Sequence, residues 1–180
     1  MKYLSILISF LLSAVLHAQK YTPSDAQSEV KFNIKNFGIN TGGSFKGLKG
    51  NISFDFSHPE NSSFNVSVDA NTVNTGVDMR DNHLRKEDYF NVEKYPVITI
   101  VSTKVQAVSG QEGSFIIFAR VTIKGKTKDI SFPFTAVSKD NGILFTGKFS
   151  INRRDFDVGG GTTVMSANVD VSLNVFAKKN

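Results

Sequence analysis

The chain has 180 residues, a formal net charge of +5, 40% hydrophobic residues and no cysteine. That length suits one domain able to bury a sizeable core by packing alone, and the missing cysteines exclude disulfides, thiol nucleophiles and Cys-ligated zinc. The positive excess is modest and dispersed, with no basic run interleaved with aromatics, so a nucleic-acid partner is not expected.

Residues 1–18 read as a signal peptide. Lys2 is the positive start, Leu4 to Leu16 is apolar apart from three serines, and Ala18 before Gln19 is the small residue at a cut. The apolar run falls short of the roughly 20 residues that span a bilayer. The mature domain is then 19–180, in a periplasmic or secreted setting.

From there the pattern has period two. Val30, Phe32 and Ile34 alternate with polar residues, and Asn40-Thr41-Gly42-Gly43 reads as the turn that follows. Ile52, Phe54 and Phe56, then Phe64, Val66 and Val68, give two further strands. The stretch 78–90 breaks the alternation and reads as one short helix, with Asp78 or Asp81 as its cap. Ile98 and Ile100 resume the alternation. Phe115 to Ile123 is a long same-face row, and Ser109 to Gly113 reads as the hairpin before it. Pro133 marks the following strand as an edge or a bulge, because proline cannot donate to a ladder. Lys139 to Gly142 is a second hairpin connection. Ile143 to Ile151 and Val169 to Ala177 are the last strands, with Gly159 to Gly161 as a loop between them.

Strict alternation over many strands implies an all-β antiparallel sandwich or barrel. Pairing of the strand at Val30 with the last strand would close a barrel of about eight strands and remove its edges. Sixteen phenylalanines and no tryptophan supply much rigid apolar surface. The inward rows hold Phe32, Ile52, Phe54, Ile100, Ile117, Val121, Phe145, Phe149, Ile151 and Val171. Periodicity alone leaves open whether they line a ligand cavity or fill a solid core.

Little in the chain suggests catalysis. Asp81 and His83 lie two apart, on different sides of a helix, and no nucleophile motif accompanies them. His58 and His83 lack metal-ligand spacing, so no metal is expected. Lys124 to Lys128 lacks the frame of a phosphate loop and reads as a charged turn.

Four segments carry a resemblance. They are Leu48 to Asp55, Asn74-Thr75-Gly76 with Arg80 to Pro96, Val121 to Lys128, and Ile151 to Phe156. Their content and order resemble the YceI-like family of periplasmic, lipocalin-like proteins that bind polyisoprenoid lipids. The chain departs from that pattern at Asp157, where glycine is usual. The resemblance implies a barrel that binds, stores or transports an amphiphilic isoprenoid, of polyprenyl phosphate or quinone type, with the ten inward residues as its lipid-binding wall. It implies no enzymatic activity and no cofactor beyond the lipid itself. Arg80, His83, Arg85, Arg153 and Arg154 are the head-group candidates. Transient membrane-surface contact and pairing of two barrels into a homodimer are the further partner expectations. The alternative is a non-catalytic structural or protein-interaction module of the cell envelope with a solid core.

Overall fold

The structure is a computed structural model that describes residues 18–161 and 163–180. The signal segment expected at 1–18 lies, apart from Ala18, outside the described residues. Among the described residues nine strands run in chain order: β1 (Gln19–Pro23), β2 (Glu29–Asn36), β3 (Ile39–Phe54), β4 (Ser63–Asn74), β5 (Val97–Ala107), β6 (Ser114–Ile123), β7 (Lys126–Lys139), β8 (Gly142–Asn152) and β9 (Met165–Lys179). One helix, α1 (Asp78–Leu84), lies between β4 and β5.

Strands β2 to β9 form a closed antiparallel ring in the order β3-β2-β9-β8-β7-β6-β5-β4, with β4 returning to β3. The expected closure of first strand on last is present, with Val30 opposite Leu173, Phe32 opposite Val171 and Ile34 opposite Val169. β1 continues the slot of β2, pairing with the far ends of β3 and β9. The interruption between them has its polar groups satisfied. The Ser28 hydroxyl donates to the Ser24 carbonyl at 2.6 Å and accepts from Phe176 N–H at 3.0 Å, and Asp25 accepts from Leu48 N–H at 2.8 Å.

Three expectations need correction. Asn40 to Gly43 is not a turn: these residues pair with Phe32 to Lys35 inside the β2–β3 ladder. The reversal occurs at Phe37-Gly38, both at positive φ, which is the geometry a two-residue hairpin demands. The helix ends at Leu84 instead of reaching residue 90. Beyond it the N–H groups of Lys86, Phe90 and Val92 bond back to His83, Leu84 and Arg85 as turns, so that Leu84 and Phe90 can both face the barrel. Finally, neither Asp78 nor Asp81 caps the helix; Val77 holds that position without a side-chain bond.

Pro133 sits where its missing donor does no harm. β7 pairs with β8 only from Phe134 onward, so at Pro133 and before, that side of β7 is an edge. The opened wall is filled by the 3₁₀ turn Arg153–Phe156 and by Phe132 stacked on Phe149 with centroids 4.4 Å apart.

The two ends of the barrel differ. At the end holding the β3–β4, β5–β6 and β7–β8 connections, Phe54 is 1% exposed and makes edge contacts with Phe56, Phe64, Phe115, Phe134 and Phe145. Such edge-to-face clusters fill space densely. The other end carries α1, the β2–β3 hairpin and the 153–164 loop, and it is hollow.

Candidate functional site

The hollow half is a cavity of about 350 Å³, within the size range of small-molecule sites. A second void of about 70 Å³ lies below it, toward the phenylalanine cluster. Of the inward residues named from periodicity, Phe32, Ile100, Val121, Phe149, Ile151 and Val171 stand on the wall of the main cavity. Ile52, Ile117 and Phe145 line the smaller void, together with Ile100 again. Phe54 lines neither, because its ring is enclosed by other phenylalanines.

The mouth is organised by the segment from Asn74 to Pro96. Thr75 is its hinge pin. Its hydroxyl accepts from Arg80 Nε at 2.7 Å and donates to Asp81 Oδ1, whose other donor is Thr75 N–H at 2.9 Å. Arg80 Nη2 also donates to the Thr75 carbonyl at 2.9 Å. The buried Asp81 carboxylate is thus stabilised by charge-assisted hydrogen bonds, and α1 is tied to the end of β4. Arg85 donates to the carbonyls of Asn71 and Val73 and to Asn82, which fastens the helix from its other end.

These bonds sort the five head-group candidates. Arg80, His83 and Arg153 are on the cavity wall. Arg80 keeps Nη1 without a bond among the described residues. His83 is exposed at the rim, edge-on to Tyr89 with ring centroids 4.9 Å apart. Arg153 is 3% exposed, and its guanidinium donates to the carbonyls of Ser166, Val158, Gly160 and Met165. Burial, with the nearby Arg154 charge, pulls its pKa down from the usual arginine value, while Tyr89 opposes that shift. Arg153 therefore ties the turn Arg153–Phe156 to Val158, Gly160, Met165 and Ser166. Arg85 and Arg154 do not line the cavity: the first is spent on strand carbonyls, and the second lies exposed on the outside.

The departure at Asp157 has a local account. Asp157 closes the turn Arg153–Phe156 at φ 52°, a left-handed conformation that glycine adopts freely and aspartate tolerates. Its carboxylate pairs with Lys126, and its carbonyl accepts from Lys124 Nζ at 2.7 Å. The Lys126 hydrogen bond is the main cause holding the Asp157 carboxyl below its ordinary pKa.

Several wall residues escaped the alternation. Phe45 and Leu48 both face inward although three apart, because the β3–β4 register shifts between Lys46 and Lys49, around Gly47 at φ 73°. Leu84, Tyr89 and Phe90 come from the turns after the helix. Met165 was within reach, being in phase with Val169 and Val171. Among the described residues of the main wall, Arg80, His83 and Arg153 bring basic side chains and none is acidic; Lys31 also borders it, but its ammonium pairs with the exposed Glu29 at 2.8 Å. No group of three or more potential metal ligands occurs among the described residues.

Comparison with known proteins agrees with this architecture. A UPF0312 protein of Yersinia enterocolitica is 28% identical over 170 residues, covering 91% of this chain and 87% of its own length. One from Ectopseudomonas mendocina is 32% identical over 153 residues, covering 81% and 79%. Among solved structures, BcnA of Burkholderia cenocepacia is 26% identical with a TM-score of 0.81, covering 87% of this chain and 99% of its own. A polyisoprenoid binding domain from Saccharophagus degradans shares the fold at 19% identity and a TM-score of 0.72, over 91% and 99% of the two chains. The profile of the YceI-like domain matches residues 21–177, and the chain belongs to the YceI-like family.

Proposed function

We propose that the barrel binds an amphiphilic isoprenoid lipid, of polyprenyl phosphate or quinone type, and stores or carries it in a periplasmic or extracellular compartment. The observation that carries this reading is the cavity. It is an apolar chamber open at one end, with basic and hydroxyl groups gathered near that opening. Tail burial supplies the affinity, at about 25 cal/mol per Å² of apolar area removed from water. The phosphate or carbonyl oxygens of the head meet Arg80 Nη1, His83 and the Tyr89 hydroxyl. Membership of the YceI-like family supports binding in place of catalysis, and the Saccharophagus domain of the same fold is described as polyisoprenoid binding. The solid-core alternative describes the closed half of this barrel and not the open one.

Delivery to and from a bilayer is part of the same reading. Phe37 and Ile39, at 73% and 70% exposure, sit at the tip of the β2–β3 hairpin on the mouth side, with Val164 bonded beside them and Lys35 behind. Phe37 holds φ 50°, which is uncommon and costly for a bulky residue. An exposed apolar tip with a lysine behind it suits an anionic membrane surface.

The test is titration of delipidated protein with a polyprenyl phosphate, the matched alcohol and palmitate, read by native mass spectrometry. The expected result is one tight prenyl lipid per chain, with Arg80→Ala and His83→Ala weakening the phosphate more than the alcohol. Indifference to every prenyl lipid would overturn the reading.

A further inference from the structure

We propose that Leu48, Val66, Ile100, Leu173 and Val175 form a collar inside the barrel that sets the length of tail the site accepts. This rests on the isoprenoid reading above and adds a determinant of specificity to it.

The main cavity and the smaller void share these five wall residues and no others. Above the collar lie the residues of the mouth; below it lie Ile52, Phe64, Ile117, Phe134 and Phe145. Leu48, Val66 and Ile100 come from three adjacent strands, β3, β4 and β5, whereas Leu173 and Val175 come from β9. β9 stands opposite β5 in the ring, and Val175 joins the two groups. Val175 packs both against the cluster of Phe45, Leu48, Val68 and Val73 and against the phenylalanine cluster beneath. All five side chains are aliphatic, so the narrowing acts by shape alone.

The space below the collar is maintained by the sequence. Gly147 faces it, and a Cβ there would stand 3.1 Å from the Phe132 ring. An empty apolar void destabilises a fold, so an unfilled chamber under a constriction favours a use for it. A tail that fills the main cavity stops gaining contacts at the collar. A longer one must spread these side chains or leave its surplus in water at the mouth. The collar therefore works as a ruler, and its side-chain volumes determine where the ruler ends.

The experiment measures affinity for a graded series of polyprenols, from farnesol to decaprenol, with wild-type protein and with Leu173→Ala and Val175→Ala. Val137→Ala, exposed on β7 and on the wall of neither cavity, is the control. Wild-type affinity is expected to rise with length and then level off. In either collar variant the plateau should move to longer chains, which gain about tenfold or more over wild type because an extra isoprene unit is buried. The control should leave the plateau in place. A plateau that stays put in both collar variants, or a wild-type affinity that climbs through the whole series, would overturn the collar while leaving lipid binding intact. Absence of binding at every length would instead overturn the isoprenoid reading, and the collar with it. Thermal unfolding of each variant identifies any that fails to fold, and either collar variant alone suffices.

Discussion

The far edge of the Phe32 ring occupies the space in which a side chain of its cross-strand partner Gly43 would stand; a Cβ on Gly43 would be 2.3 Å from Phe32 Cζ. A large aromatic thereby lies along the barrel wall and leaves the lumen open. Gly43→Ala should push the ring inward, since the end of a side chain yields more readily than backbone. The expected outcome is a loss of lipid affinity of tenfold or more with a melting temperature lowered only slightly. Titration beside a thermal scan measures both. Unchanged affinity would show that the ring has another place to go.

Thr75 joins two charged groups through one hydroxyl. Thr75→Val keeps the shape but leaves the buried Asp81 carboxylate with a single backbone donor and removes the acceptor of Arg80 Nε. The cost should be about 1–3 kcal/mol in urea unfolding. Hydrogen exchange should quicken first in the segment from Asn74 to Arg85, ahead of the rest of the barrel.

Acid should loosen the closed end at Asp55. Its Oδ1 accepts the N–H of His58 and of Ser57, and these bonds, that of His58 foremost, hold its carboxyl below the ordinary value of 3.8. A folded-state pKa lowered in this way gives stability that is fully present above the unfolded value and is lost as pH falls through the folded one. Asp55→Asn should therefore lower stability at neutral pH and flatten its dependence on pH below about 4. An identical acid profile in the variant would contradict the assignment.

The exposed tip gives a prediction at membranes. Phe37→Ser with Ile39→Ser removes the two most projecting apolar side chains of the β2–β3 hairpin. Co-sedimentation with vesicles containing anionic phospholipid should fall several-fold, while binding of a soluble short prenol should not change. Equal sedimentation of the double variant and wild type would remove the hairpin from membrane contact.

How much of this was legible depends on which physical signal each residue carries. Val30, Phe32 and Ile34, and the rows on β6, β8 and β9, were readable because one face of each strand is wet, so period two survives intact. Barrel closure followed from the pairing of β2 with β9. The signal fails where the backbone departs from a plain ladder. The register shift near Gly47 brings Phe45 and Leu48 to one face, and no alternation rule passes through it. Gly42-Gly43 looked like a turn, but the pair lies within the ladder and Gly43 serves as a bed for the Phe32 ring, which requires knowing the opposite strand. Arg85 and Arg153 looked like ligand-binding charges; both are consumed by carbonyls contributed from other elements, a tertiary fact absent from local sequence. Phe54 is buried among other phenylalanines, yet depth along the barrel, which separates floor from wall, is not encoded by period two.

The proposed isoprenoid tail lies inside the open half of the barrel. The most direct measurement is native mass spectrometry of the protein purified from its own cell envelope, followed by organic extraction and identification of what leaves it. The expected result is a mass excess of one prenyl lipid per chain, lost on extraction and restored by adding the lipid back; the same spectrum reads whether barrels pair. A protein that emerges empty and stable, and that takes up no prenyl or acyl lipid afterwards, would contradict it.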